Sequence, residues 1–331
     1  MRAMLMTTAG GPEVLRLEDI PEPKLQRSTQ VKVRLRAAGV NPLDTKLRSR
    51  GVFYPDALPA ILGCDGAGEV IEAGDASGLR VGDRVAFCHG GLGAAPGNYA
   101  EMTVIEAAET ASIPPSVSFE QAAALPLVLI TAWESLIDRA RIQAGQTVLI
   151  LGGAGGVGHI AIQLAKQRGL RVLATVGSEE KAAFVRSLGA DKAIQYDKEN
   201  LVEAVMRHTG GRGADVVFDT VGGALFAQAV ACAAYAGDLV TLLEPLTDAP
   251  WKEARNRNLR IGFDLMLTPM LRELPEARAH QVEILCQGFG MLADGRLRVQ
   301  VGGVFPLEEA AEAHRRLASG HTQGKLVLAI G

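Results

Sequence analysis

The chain has 331 residues, 48% of them hydrophobic and 21% charged, enough for two domains that each bury a core. Its 34 basic and 37 acidic residues leave a net charge of −3, which argues against a general affinity for nucleic acid or an anionic membrane. The four cysteines, Cys64, Cys88, Cys232 and Cys286, stand far apart with no CxxC pair, which argues against a disulfide scaffold or a structural zinc knot.

Roughly the first 115 residues read as short strands broken by glycine and proline turns. Val31, Val33 and Leu35 alternate with Lys32, Arg34 and Arg36, the period of a half-buried strand. Further strands are expected at 67–73, 84–88 and 99–105. Ser118 and Gln121 fit a capping box, and the pattern after them predicts a helix through Leu136. From Thr147 the rhythm changes. Apolar runs TVLIL (147–151), RVLATV (171–176), AIQY (193–196), DVVFD (215–219), LVTLL (239–243) and LRIGFDL (259–265) begin 20 to 24 residues apart, with helical patterns between them. Such alternation means a parallel sheet covered on both faces, a doubly wound Rossmann arrangement. Helices at 276–293 and 307–318 and a strand at 325–330 follow, and are expected to rejoin the first domain. The expected fold class is therefore α/β. A six-stranded Rossmann domain over 123–265 is inserted into a β-rich domain made of 1–122 and 266–331. The opening MRAMLM lacks the flanks of a signal peptide and no segment approaches the ~18 apolar residues of a membrane span, so a cytoplasmic protein is expected.

The run TVLILGGAGGVGHIAIQLAK carries the strongest chemical signal. Gly153, Gly155 and Gly158 satisfy G-x-G-x-x-G between an expected strand and an expected helix, with Ala154, Gly156 and Val157 completing the loop. Gly153 is expected to make the tight turn, Gly155 to let the backbone approach a pyrophosphate, and Gly158 to let helix and strand pack closely. The helix N-terminus then offers free N–H groups to the phosphates. At the end of the second strand, where an NAD site carries Asp or Glu, the chain has Val176, Gly177 and Ser178. This leaves room for a 2′-phosphate, with Lys181 as countercharge and Ser178 and Tyr196 as hydrogen-bond donors, so NADPH is the expected cofactor. Two alternatives stand beside this: Lys181 as a solvated helix lysine, and Glu179 or Glu180 restoring an NAD site in a shifted register. Val221, with Gly222 and Gly223, follows the fourth strand and is expected to border the cofactor.

With these motifs go AAGVNPLDTKLR (37–48), LGCDGAGEV (62–70), GDRVAF (82–87), NYAE (98–101), ALPLVLITAWESL (124–136), GADVVFDTVGG (213–223) and QGKLVL (323–328). In that order and spacing the chain resembles the medium-chain dehydrogenase/reductase superfamily, in its zinc-free, zeta-crystallin-like quinone oxidoreductase branch. The resemblance implies that the β-rich domain is GroES-like. It also implies that no zinc is bound: Asn41 stands where the zinc enzymes have a ligand cysteine, Cys64-Asp65 where they have His-Glu, and residues 88–103 hold only Cys88 of a four-cysteine loop. Without a Lewis acid the easier reaction is hydride delivery to an electron-poor acceptor.

The resemblance further implies that the Asn41 amide faces nicotinamide and acceptor, that Asp44 orients it, that Tyr54 lies on the substrate side and that Thr131 contacts the nicotinamide. Lys46 departs from a tyrosine of the bacterial enzymes and points to a more polar or anionic acceptor. Phe263 either covers the nicotinamide or sits in the core on strand six. Lys325 is either a cofactor-side lysine or a strand-edge charge. Asn41 also suits a turn before Pro42, and Tyr54 a packed loop aromatic. His159 is expected at the surface, and RELPEARAHQVE as a solvated helix face. The expected function is an NADPH-dependent reductase of a small electrophile, a quinone, enone or enal, working as a homodimer with no nucleic-acid or membrane partner. An enoyl-thioester reductase and a non-catalytic NADPH-binding, crystallin-like protein are the alternatives.

Overall fold

The computed structural model describes residues 1–331, apart from the side chain of Pro55. The chain resolves into two compact units, Val128–Leu267 and a discontinuous one made of Met1–Leu127 with Thr268–Gly331.

The Val128–Leu267 unit is built on a six-stranded sheet. Its spatial order is Lys192–Gln195, Arg171–Val176, Thr147–Leu151, Ala214–Asp219, Ala233–Thr241 and Arg260–Phe263, with every pairing parallel. In chain order this reads third, second, first, fourth, fifth, sixth, the doubly wound Rossmann order. The central Thr147–Leu151 strand is buried along its whole length because helices cover both faces, which is why its sequence is a continuous apolar run. Leu149, Leu151, Val217 and Leu239 from the strands pack with Val205, Phe226 and Val230 from the connecting helices Leu201–His208 and Leu225–Cys232. The fifth strand begins six residues before the apolar stretch that signalled it. Its early part passes through Ala236 at φ 58° and joins the fourth strand across an irregular register.

The discontinuous unit holds a seven-stranded sheet. Five strands lie side by side in the order Val301–Pro306, Lys325–Ala329, Gln30–Val40, Asp65–Ala73 and Arg84–Cys88. Ala111–Ser112 ends the row, and Met102–Glu106 pairs with Gln30–Val40. Val31, Val33 and Leu35 are buried as the alternation predicts. A second sheet joins Leu15–Asp19, Arg2–Met6 and Ala60–Ile61. The Lys325–Ala329 strand lies between two neighbours, so Lys325 is not an edge charge.

Ser118 and Gln121 do form the capping box, with Gln121 N–H donating to Ser118 Oγ (3.2 Å) and Ser118 N–H to Gln121 Oε1 (3.1 Å). The expected single helix through Leu136 is interrupted, however. Phe119–Ala124 ends before Pro126, which has no N–H to continue the ladder. Pro126–Trp133 then starts afresh and widens into a π-helical turn over Glu134–Arg139. RELPEARAHQVE is largely solvated, except for Arg278 and Gln281. Arg278 is buried and donates to the Cys88 carbonyl (2.9 Å) and to Glu109 (3.2 Å). All four cysteines are free, with Cys64, Cys88 and Cys232 buried and Cys286 exposed. Among the described residues no helix is long and apolar enough to cross a membrane.

Candidate functional site

The dinucleotide loop lies in the Val128–Leu267 unit, between the Thr147–Leu151 strand and the Gly156–Gln167 helix. The left-handed turn falls at Gly152 (φ 75°), not at Gly153 as expected, and a Cβ there would meet Thr220 Oγ1 at 2.8 Å. Gly153 is needed for space instead: its Cβ would lie 2.8 Å from that of Ala174. At Gly158 a Cβ would lie 2.3 Å from the Gly152 carbonyl, so helix and strand approach as closely as the motif requires. Ala154 is buried, whereas Gly155, Gly156 and Val157 are partly open to solvent. Gly155 is the N-cap of a twelve-residue helix and has no side chain to satisfy its first amides, an arrangement that receives an anion. His159, expected at the surface, is fully buried, with Nδ1 3.0 Å from the Gly155 carbonyl.

Beyond the second strand, Ser178 caps the Glu179–Ser187 helix and accepts from Lys181 N–H (3.2 Å). Lys181 is half-buried rather than a freely solvated helix lysine. Tyr196 is exposed, and its hydroxyl lies where a Gly177 side chain would begin, 2.4 Å from the position of a Cβ. Gly177, Ser178 and the Tyr196 hydroxyl thus lie where the second and third strands end, with Lys181 in the first turn of the helix that follows. Glu179 becomes the first helical residue, with its carboxylate bonded to Arg186 (2.9 Å) and to the Gln195 amide. After the fourth strand, Asp219, unmarked in the sequence, accepts from the N–H groups of Val221 (3.0 Å) and Gly222 (2.9 Å), shaping the turn that leaves Val221 exposed. Phe263 is 53% exposed, which removes the core reading of that residue. Thr131 lies on the Pro126–Trp133 helix and is buried.

In the discontinuous unit, Asn41, Asp44 and Lys325 meet residues that the sequence did not mark as functional. Asn41 caps the Pro42–Arg50 helix and is fully buried. Its Nδ2 donates to Asp65 Oδ2 (2.8 Å), and its Oδ1 accepts from Lys325 Nζ. The amide expected to face an acceptor is therefore held inward, between an acid and a base. Lys325 also donates to the Val40 carbonyl (3.1 Å) and lies 3.4 Å from Asp65, whose other oxygen accepts from Leu127 N–H (2.8 Å). One helical turn on, Asp44 Oδ2 accepts from Asn41 N–H (2.8 Å) and from the Tyr99 hydroxyl (2.9 Å). Tyr99 in turn lies 3.2 Å from His314 Nε2. With the Tyr99 proton given to Asp44, its oxygen is left to accept from the imidazole.

Burial dominates the electrostatics of this cluster. It raises Asp44 to about 7 against the pull of its two donors, lowers His314 to about 3 with help from the Arg48 charge, and pushes Tyr99 well above its ordinary value. Asp44 can hence hold or release a proton near neutral pH. Lys46 lies on the exposed side of the same helix, and Tyr54 is exposed in the following loop, so neither joins the cluster and Tyr54 is not a packed aromatic. Asp65 and Tyr99 did stand inside blocks that carried the family resemblance; His314 had no such signal.

Residues 27–115 match the alcohol dehydrogenase GroES-like domain, and residues 188–328 the zinc-binding dehydrogenase family. A quinone oxidoreductase of Pseudomonas aeruginosa is 36% identical over 327 residues, covering 96% of each chain. The chain belongs to the quinone oxidoreductase branch of the medium-chain dehydrogenase/reductases. A chloroplastic NADPH-dependent alkenal/one oxidoreductase of Arabidopsis thaliana is 34% identical, across 99% of this chain and 79% of its own. The Escherichia coli quinone oxidoreductase solved with NADPH superposes with a TM-score of 0.87 at 30% identity, covering 99% of this chain and all of its own.

Although the superfamily includes zinc enzymes, the donor set of this quinone oxidoreductase homologue does not fit a catalytic zinc. A lysine ammonium already lies against Asn41 Oδ1 and Asp65 Oδ2, where a metal would have to bind. The Cys64 thiol donates to the Gly90 carbonyl (3.1 Å), and its neighbour Cys88 and burial push its pKa well up. Among the described residues no three His, Cys, Asp or Glu side chains converge as ligands.

Proposed function

We propose that this oxidoreductase reduces a quinone or an α,β-unsaturated carbonyl with NADPH, without a metal. The observation that carries the reading is the Tyr196 hydroxyl lying against Gly177, beside Ser178 and the first helical turn that carries Lys181, while the adjacent carboxylate of Glu179 is engaged elsewhere. NADPH, when bound, supplies the hydride. The chain's part is to hold and orient. The first amides of the Gly156–Gln167 helix receive the pyrophosphate. Ser178, Lys181 and Tyr196 receive the 2′-phosphate, and Val221 and Phe263 border the remainder of the cofactor. Tyr54 and Lys46 contact the acceptor. Asn41, Asp44 and Lys325 support that end from the buried cluster, and the resemblance adds Thr131 at the nicotinamide. Support for this reading comes from the NADPH complex of the Escherichia coli relative and the alkenal/one activity in the Arabidopsis relative's name.

The test is the rate of NADPH oxidation, beside NADH, with a simple quinone and with a 2-alkenal. Turnover that prefers NADPH is expected. Absence of turnover with either acceptor, in protein that binds NADPH, would overturn the reading in favour of a non-catalytic or narrower role.

We also propose a homodimer. The Arg260–Phe263 strand closes one side of the Rossmann sheet with no further strand beyond it, and Phe263 and Leu265 are exposed there. Light scattering at micromolar concentration should give twice the 34.9 kDa chain mass. A value of one chain mass removes the dimer.

A further inference from the structure

Glu179 and Glu180 open the helix that follows the second Rossmann strand, two residues past Gly177. A carboxylate so near the adenosine ribose is what an NADPH site must avoid, since it would repel a 2′-phosphate. Glu179 is not left free. One oxygen accepts from Arg186 Nη1 (2.9 Å), in the last turn of the same helix. The other accepts from Gln195 Nε2, at the end of the third strand. Gln195 is buried, and its amide is turned so that the donor meets Glu179 while its own Oε1 has no partner. Leaving that oxygen unbonded costs free energy, so the orientation is set by the carboxylate. The next residue, Tyr196, is the one whose hydroxyl lies against Gly177. One strand end therefore both restrains the acid and presents a phosphate donor.

We infer that Arg186 and Gln195 are specificity-determining positioning residues. By tying down Glu179 they let the Ser178–Lys181–Tyr196 group accept a 2′-phosphate and thereby favour NADPH over NADH. The inference rests on the proposed NADPH reading. Its physical content is that an untied carboxylate beside the proposed site of a dianionic phosphate weakens binding by Coulomb repulsion, whereas the free ribose hydroxyls of NADH accept such a carboxylate as a partner.

The experiment measures the dissociation constants of NADPH and NADH for the full-length protein, with Arg186→Ala, Gln195→Leu, Glu179→Gln, and each of the first two combined with Glu179→Gln. The Arg186–Glu179 pair is exposed and contributes little to stability, so Arg186→Ala is expected to fold. Arg186→Ala should lower the preference for NADPH by about fivefold. Gln195→Leu should act in the same direction. Neutralising the acid with Glu179→Gln should restore the preference in both double variants. A loss that persists in Arg186→Ala/Glu179→Gln would mean that Arg186 acts on the phosphate itself, and would overturn the inference. Equal weakening of both cofactors would reduce the two residues to structural supports, with the same consequence. Wild-type protein that shows no preference for NADPH would remove the functional reading together with the clamp's role, whereas a wild-type preference unchanged by every variant removes the clamp alone.

Discussion

Lys325→Met should destabilise the protein by about 3 kcal/mol or more, read as a shift of the urea midpoint at unchanged slope. The ammonium is buried and donates to Asn41 Oδ1 and the Val40 carbonyl, and lies 3.4 Å from the fully buried Asp65. Without it, Asp65 keeps the hydrogen bonds from Asn41 Nδ2 and Leu127 N–H but loses its only positive neighbour in this cluster. Asn41 Oδ1 loses its donor in the same step. The cost arises because removing one partner leaves the other charge in a medium that cannot solvate it. Asp65→Asn/Lys325→Met removes both charges and should recover roughly half of the loss, with a coupling energy well outside additivity for distant sites. A single-variant cost below about 1 kcal/mol would show that no charge interaction holds this cluster together.

The second large effect concerns pH. Asp44 titrates at about 7 when folded against 3.8 as a free side chain. The folded protein then holds a proton that the unfolded chain has already released, so Asp44 withdraws stability as pH rises from about 4 to 7. His314 behaves in the opposite sense. Folded at about 3 against 6.5, it stays neutral while the unfolded chain takes up a proton, and stability is lost as pH falls below 6.5. Between roughly pH 4 and 6.5 the two slopes, each about 1.4 kcal/mol per pH unit, oppose one another and cancel.

Asp44→Asn keeps an acceptor for both Asn41 N–H and Tyr99 and leaves the imidazole slope exposed, so stability should fall by about 3 kcal/mol from pH 6.5 to 4 relative to wild type. His314→Gln keeps a donor for Tyr99 and leaves the carboxyl slope, with a loss of about 4 kcal/mol from pH 4 to 7. The other ionisable neighbours are Tyr99, Lys325 and Asp65 at Asp44, and Arg48 at His314, and all remain in both variants. Urea midpoints across this range decide the matter: curves parallel to wild type in both variants would remove the compensation.

The Rossmann sheet was legible because its strands are buried on both faces, and burial writes itself into sequence as unbroken apolar runs such as 147–151 and 171–176. A strand with neither that signature nor the alternation seen at 31–36 is one the sequence did not reveal. Val301–Pro306 is half exposed, and Gly302 and Gly303 weaken its pattern; its backbone passes so close to Gln323 that a Cβ on Gly302 would lie 2.1 Å from that carbonyl. The dinucleotide loop was readable as a motif, yet the residue taking positive φ was displaced by one, since spacing does not report a dihedral angle.

The buried polar cluster was the least legible part. Its contacts join Asn41 to Asp65 across 24 residues, Tyr99 to Asp44 across 55 and Tyr99 to His314 across 215, and no local periodicity encodes such pairings. A motif is the only context the sequence offers for Lys325; the structure adds the hydrogen bonds to Asn41 and the Val40 carbonyl, which no local pattern encodes.

The state of the cysteines has a chemical consequence for a protein proposed to handle quinones and enals. Such compounds alkylate thiolates by conjugate addition, and only the deprotonated sulfur attacks at a useful rate. Cys64, Cys88 and Cys232 are out of reach, and burial holds Cys232 protonated up to about 12. Cys286 is exposed, yet its pKa is also raised, by partial burial and the charge of Glu283. The fold thus presents few reactive thiolates to electrophiles of the class proposed as its acceptors.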